Sequence, residues 1–292
     1  MSVDTTSSVH QTVTEAAAPA PARRQRRESD GGPLRGRRGR VILLRAWLPV
    51  TVAVVWWAAS AGSTSLYFPS LQSITETFSR DWFSMRGLDD LVPSLRNLVA
   101  GFAIASLIGV AGGLLLGSSR WAAAAAEPVV HFLRSLPPPV LLPLGLILLG
   151  TDAGMKVAII TVGAVWPTLL NTMDGVRGVD PQLRDMSKAY GLSLGQRVRY
   201  VVLPAAAPQI VAGLRTTLQI SIILIVVSEM YASASGIGHY VLTAQQTFLV
   251  TETWAGTLLL GLIGFLANLI FGVGERRVLR WQDALRTNAR NG

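Results

Sequence analysis

Cysteine is absent from the 292 residues, and lysine occurs only at Lys156 and Lys188. The first absence excludes disulfides, thiolate metal sites and a cysteine nucleophile. The second is a compositional bias of a GC-rich genome and says nothing about mechanism. Charged residues make up only 15% of the chain, against about 25% in an ordinary soluble domain. No Gly-x-x-x-x-Gly-Lys-Ser/Thr phosphate loop occurs, so this chain does not supply ATP hydrolysis through one. Metal-ligand spacing and nucleophile–base pairing are also missing. What is present is apolar: half of the residues are hydrophobic, in several runs that reach the roughly 20 residues needed to cross a bilayer. The chain reads as an all-α integral membrane protein. A net charge of +9 and a pI near 10.9 also occur in nucleic-acid-binding proteins. Here the basic residues flank apolar runs, where membrane orientation accounts for them, so lipid is the expected partner and nucleic acid is not.

Residues 1–40 are Ser/Thr/Ala/Pro-rich and then Arg/Gly-rich, a composition that cannot bury a core, and a disordered basic arm is predicted. Arg37-Arg38 before an apolar run is similar to a twin-arginine signal, with Ala59-Ser60-Ala61 as an imitation cleavage site. An uncleaved first helix over about 41–61 fits the later spans better. Residues 62–91 read as an external segment with one or two short amphipathic helices. Further spans are predicted at about 91–117, 128–150, 155–173, 206–232 and 254–274, six in all with the first. In the second span Gly109, Gly113 and Gly117 lie four apart, with Ala105 extending the row, which lets another helix approach closely. The third is interrupted at Pro137, Pro138 and Pro139, because a helix cannot run normally through three prolines. Broken backbone at membrane depth is tolerated where it is buried in protein or lines a water-filled cavity. The prolines are therefore candidates for the pathway, alongside a simple kink near the surface. Residues 118–127 read as a short turn.

The polar stretch from Asp180 to Pro208 has its own punctuation. Asp180-Pro181 pairs an N-cap acceptor with proline at the first helical position. Leu183, Met186, Ala189 and Tyr190 recur at helical spacing, and Gly191 stops that helix. A second piece carries Leu194, Val198 and Val201, and Leu203-Pro204 opens the next span. Arginines crowd the N-terminal arm, the 177–199 region and the tail (Arg276, Arg277, Arg280, Arg286, Arg290), whereas Arg80, Arg86 and Lys156 fall on the other side. By the positive-inside rule both termini and the 180–204 loop are cytoplasmic.

The loop resembles the EAA loop of ABC importer permeases. Asp185 stands for the acid, Met186 and Ser187 replace the usual pair of alanines, Gly191 is the glycine, Val201 the aliphatic residue, and Leu203-Pro204 the close. From about Ser94 to Trp281 the chain is similar to the nitrate/sulfonate/taurine-type branch of these permeases. The carriers are Gly117-Ser118-Ser119-Arg120-Trp121, the Arg134–Pro143 stretch, Asn171-Thr172, Ala212-Gly213-Leu214-Arg215, and Glu229-Met230 with Ser235-Gly236-Ile237-Gly238. The resemblance implies a type I ABC importer permease fold with six transmembrane helices in a bacterial plasma membrane. It implies a second permease copy, as a homodimer, together with ABC ATPase subunits and an extracytoplasmic solute-binding protein. No cofactor is expected on this chain, ATP and Mg belonging to the ATPase. Domain boundaries are set at 1–40 (arm), 41–93 (first helix and external segment), 94–281 (permease domain) and 282–292 (tail). The expected function is ATP-driven import of a small anionic solute such as nitrate, a sulfonate or taurine.

Coupling to the ATPase is assigned to Asp185, Met186, Ser187, Gly191, Val201, Leu203 and Pro204, with Asp185 as an N-terminal charge and Pro204 as a break that sets the angle of the fifth span. Pathway or gate candidates are the three prolines, Asn171, Arg215 and Glu229. Glu229 is an intramembrane carboxylate, which is a functional candidate by default, although a helix terminus near the outer end can satisfy it. Arg215 can attract an anion or snorkel to the headgroups. His131 reads as a packing or headgroup residue. Import of another solute, such as a thiamine precursor, stays open. So do a stand-alone secondary transporter, which needs mid-membrane ion sites, and a membrane enzyme, which needs convergent titratable groups.

Overall fold

Four serines and an aspartate set helix starts along this chain, and glycines in left-handed conformations set the stops. The structure, a computed structural model, describes residues 34–63 and 65–281, with the side chains of 34–46 and 86 outside that description. The expected arm up to residue 33 and the tail beyond 281 lie outside the described residues. The chain divides into two units, 1–52 and 53–292. Helix α1 spans Leu34–Ser60, and everything after it belongs to the second unit.

Ser70 caps α2 (Leu71–Trp82), Ser84 caps α3 (Met85–Ser118) and Ser119 caps α4 (Arg120–Ser135), each hydroxyl accepting a backbone N–H of the first turn. The expected turn at 118–127 is thus a one-residue corner at Ser119 followed by helix, because Ser119 caps the next helix at once. A 3₁₀ turn (Pro138–Leu141) leads into α5 (Leu142–Leu149), which ends at Gly150 with φ 72°. Helices α6 (Ala153–Arg177), α7 (Pro181–Ala189), α8 (Leu194–Arg197), α9 (Leu203–Ala232), α10 (Ile237–Gln246) and α11 (Val250–Val278) complete the described fold. Among the described residues all regular structure is helical.

Four helices are long and apolar enough to cross a membrane: α3, α6, the run from α8 through α9, and α11. A fifth span forms if α4 and the 138–149 segment count as one, bent by 87° at the prolines. The sequence predicts six; the described apolar part of α1, Trp47–Ser60, is shorter than a span. At roughly 1.5 Å per residue α3 is about 50 Å long, well beyond the roughly 30 Å hydrocarbon core. The span predicted at 91–117 covers all of α3 but its first turns, with Asp89 and Asp90, and its last residue.

The core is a slab of α3, α6 and α9 held together by small residues. A Cβ on Gly109 would lie 2.8 Å from Thr168, one on Gly113 2.4 Å from Thr172, and one on Gly117 2.7 Å from Val176. Only glycine admits α6 at that distance. Gly213 of α9 repeats the device against Pro167 and Asn171 of α6. Between these two helices the Thr168 and Thr217 hydroxyls meet at 2.7 Å, and Thr217 donates to the Ala164 carbonyl at 2.8 Å. Around this seam Leu98, Met155, Ile160, Ala164, Leu224 and Ile225 form a buried cluster. Outward-facing Leu107, Leu115, Ile147, Leu148, Phe265 and Ile270 are all exposed. An apolar exterior of this kind is what a lipid surround requires.

Candidate functional site

The loop that leaves α6 is fixed on one side and bare on the other. Asp180 accepts the Gln182 N–H at 2.8 Å, and Pro181 occupies the position whose missing donor costs nothing. The Arg184 guanidinium donates back to the Val176 carbonyl at the end of α6. Ser187 is buried and donates to the Arg184 carbonyl at 2.6 Å, while Val179 is buried beside Val176 and Val202. Beside Ser187, Leu183 (46% exposed), Met186 (53%) and Tyr190 (79%) are left uncovered, as is Leu194 (75%) beyond the bend. The helical spacing that singles out this apolar face in the sequence holds, but the protein's own core does not cover it.

Gly191 adopts φ 67° with open space around the position of a Cβ. Its role is conformational: a side chain would fit, but the left-handed backbone disfavours one. Two expected roles change. Asp185 lies in the second turn of α7, pairing with Lys188 at 3.0 Å, so the acid that faces the helix N-terminus is Asp180. Leu203-Pro204 does not start a separate segment. Helix runs from Leu194 through Ala232, with a π-helical turn at Val198–Val202. Proline at 204 has no N–H and its ring crowds the carbonyl four residues earlier, at Tyr200. The widened turn absorbs both defects without breaking the rod. Val201 and Leu203 pack beside the Val176–Val202 cluster, whereas Pro204 is exposed.

The pathway candidates do not converge. Pro138 packs against Gly163 of α6, where a Cβ would sit 2.8 Å from its ring, while Pro137 and Pro139 are exposed. Asn171 donates its side-chain amide to the Pro167 carbonyl at 2.8 Å and fills the contact with Gly213. Arg215 pairs with Glu275 of α11 at 2.5 Å and lies over the Phe271 ring at 6.0 Å. Glu229 lies fourteen residues further along α9, about 21 Å away along the axis. His131 is exposed beside Glu127 at 3.7 Å.

Glu229 is almost completely buried (1% exposed), and its Oε2 accepts the Gly238 N–H at 3.0 Å. Two residues that sequence reasoning missed act beside it. Asp90 Oδ1 accepts the Gly236 N–H at 2.7 Å and Ser94 Oγ accepts the Ile237 N–H at 3.2 Å. Lys156 is buried and donates to Ser233 Oγ at 2.6 Å. Further out, a cavity of about 660 Å³ is lined by Arg80, Asp81, Asp89, Asp90, His239, Tyr240 and Glu252 among others. Tyr240 donates to Asp81 at 2.6 Å, and burial, followed by that carboxylate, pushes its hydroxyl well above the usual phenol range. Arg80, fully exposed, is held charged by its bonds to Asp81 and then Glu252. Among the described residues no three His, Asp or Glu side chains come together as a metal set.

Comparison with known proteins gives concordant matches. Residues 99–280 match the family described as binding-protein-dependent transport system inner membrane component. The chain is 28% identical over 239 residues to the SsuC permease protein of Bacillus subtilis (strain 168), whose description names aliphatic sulfonates transport, covering 81% of this chain and 87% of that protein. It is 29% identical over 246 residues to the nitrate import permease protein NrtB of Synechocystis, covering 81% and 90%. A solved inward-facing structure of the MetNI methionine ABC transporter superposes with a TM-score of 0.56 at 21% identity, covering 70% of this chain and 97% of that one. At that identity the likeness speaks for the fold.

Proposed function

We propose, from a chain that belongs to the binding-protein-dependent transport system inner membrane component family, that the bare face of α7 is the coupling surface of an anion importer. The chain is an ABC transporter permease subunit of the nitrate/sulfonate branch with the all-helical fold of such importers. It is a multi-pass membrane protein, and family membership assigns nucleotide hydrolysis to a partner subunit and solute capture to a binding protein.

The finer reading is ours. ATP-driven closure of two ATPase subunits moves α7 and the 190–203 segment, and α6 and α9 tilt as stiff bodies. The Arg184 tie to Val176 and the continuous helix from Leu194 to Ala232 transmit the displacement to both. The permease acts as a homodimer, residues 94–281 forming the transport domain, with the loop and both termini cytoplasmic. The solute is a small anion of the nitrate, sulfonate or taurine type, in keeping with the solutes named for its relatives.

One observation carries the proposal. A helix tied to α6 through Arg184, with Ser187 buried, leaves Leu183, Met186 and Tyr190 uncovered. An apolar face that its own chain leaves open fits a helix-in-groove contact. The test is uptake of labelled nitrate, taurine and an alkanesulfonate into proteoliposomes holding this chain with its ATPase and binding protein. ATP-dependent uptake of one of them is expected. Uptake that proceeds at full rate without the ATPase contradicts the reading.

A further inference from the structure

The segment Ser233–Gly238, between α9 and α10, is gripped from every helix of the slab. Lys156 of α6 donates to Ser233 Oγ at 2.6 Å. Asp90 and Ser94 of α3 take the N–H groups of Gly236 and Ile237, and Glu229 of α9 takes that of Gly238. Three of the leading N–H groups of α10, which a helix start leaves without partners, are thus satisfied by side chains from two other helices. The backbone is shaped for it. Gly236 has φ 111°, and a Cβ there would fall 2.5 Å from the Glu229 carboxyl carbon; a Cβ on Gly238 would fall 2.5 Å from the Val226 carbonyl.

Such a grip is a costly way to fasten a loop. Glu229 is buried, and its Oε2 is committed to the Gly238 N–H. A carboxylate taken out of water costs free energy that its protein partners must offset. An apolar contact fastens a loop more stably, and three separate helices are not needed for it. Acceptors on α3 and α9 and a cation on α6 do have one property an apolar contact lacks: the four bonds require these three helices to keep a fixed mutual tilt, since hydrogen bonds fail over a displacement of an ångström or so. On its far side α10 forms a wall of the 660 Å³ cavity through His239, Tyr240 and Thr243.

We infer that Asp90, Ser94, Glu229 and Lys156 form a clasp on Ser233–Gly238 that holds α10 as the closed wall of this cavity, and that the clasp must open when α3, α6 and α9 tilt during transport. These are positioning residues. They act on the gate through the backbone of 233–238, not on the solute. The inference rests on the permease reading given above, and the test separates the two.

The experiment uses the full complex of this chain, its ATPase and its solute-loaded binding protein in lipid nanodiscs. Hydrogen exchange at the 236–238 amides is followed at rest and in the presence of a non-hydrolysable ATP analogue. At rest these amides exchange slowly, and the analogue with loaded binding protein speeds them about tenfold or more as the clasp lets go. Glu229→Ala and Asp90→Ala exchange at the fast rate already at rest. They hydrolyse ATP without proportionate transport, at an unchanged KM for solute. Glu229→Gln, whose carbonyl still accepts from Gly238, keeps the protection and regains coupling. Were Glu229→Ala to fail to assemble, the wild-type comparison across the cycle and the glutamine variant still decide. Exchange at 236–238 that stays constant through the cycle, or alanine variants with normal coupling, overturn the clasp. Loss of the ATPase from the purified complex sinks the permease reading, and with it the clasp's part in transport; an ATPase that stays bound while exchange is unchanged sinks the clasp alone.

Discussion

The two ends of the α3–α6–α9 slab handle charge in opposite ways. At the loop end Asp185 and Lys188 pair in the open, 73% and 61% exposed, beside an apolar face with no cover. At the α10 end Glu229 and Lys156 are buried, at 1% and 6% exposure, and serve the backbone of one short segment. An exposed pair is nearly neutral in energy and readily rearranged. A buried acceptor is committed to one geometry, because releasing it leaves an uncompensated polar group. The loop end therefore keeps its charges free to rearrange, whereas the α10 end commits them to one geometry.

Substitutions can break this contrast, and the largest effect is expected between the two ends. Gly113→Val places a branched side chain where even a Cβ would lie 2.4 Å from Thr172 and 2.6 Å from the Leu169 carbonyl. Overpacking costs about 1–3 kcal/mol or more, and here backbone cannot yield. We expect loss of folded protein by size-exclusion profile and thermal melt. Next is Gly191→Val at the loop end. There is room for the side chain, but φ 67° costs a branched residue about 1–2 kcal/mol or more locally. The protein is expected to insert and melt near normally while transport is abolished; full transport by this variant counts heavily against the loop assignment.

A smaller effect is expected at the middle seam. Thr217→Val removes the bonds to Thr168 and Ala164. In membranes such bonds average about 0.6 kcal/mol, so a shift of a few degrees in melting is expected. The smallest belongs to Arg215–Glu275, an exposed pair at 2.5 Å. A double-mutant cycle with Arg215→Ala and Glu275→Ala should give a coupling below about 1 kcal/mol that fades with salt. A large, salt-insensitive coupling would show that this end too relies on a committed ionic contact.

How legible each end was in the sequence follows from the range of its contacts. The loop end is local: Asp180-Pro181, the 183–186–190 spacing and Gly191 each act within one or two turns, so composition and spacing reveal them. The glycine row of α3 was also legible, since a face of small residues implies a close neighbour even before the neighbour is known. The α10 end was not. Asp90 meets Gly236 across 146 residues and Ser94 meets Ile237 across 143. In sequence these look like a polar segment before an apolar run, and Glu229 like an isolated acid. Nothing near Lys156 in sequence announces its bond to Ser233. The π-helical turn before Pro204 was hidden because proline signals a break, whereas a widened turn satisfies the same steric demand inside a continuous helix.

The central claim is that the open face of α7 receives an ATPase subunit. Because the chain has no cysteine, Met186→Cys gives a single thiol in the middle of that face. Bifunctional thiol cross-linking of the assembled complex, against an ATPase carrying one surface cysteine along its groove, reads the contact directly. The account predicts a covalent permease–ATPase product from position 186 and none from a control cysteine on the α10 side, such as Thr243→Cys. A product from position 243 with none from 186, or no product from either in a complex that transports, would contradict it.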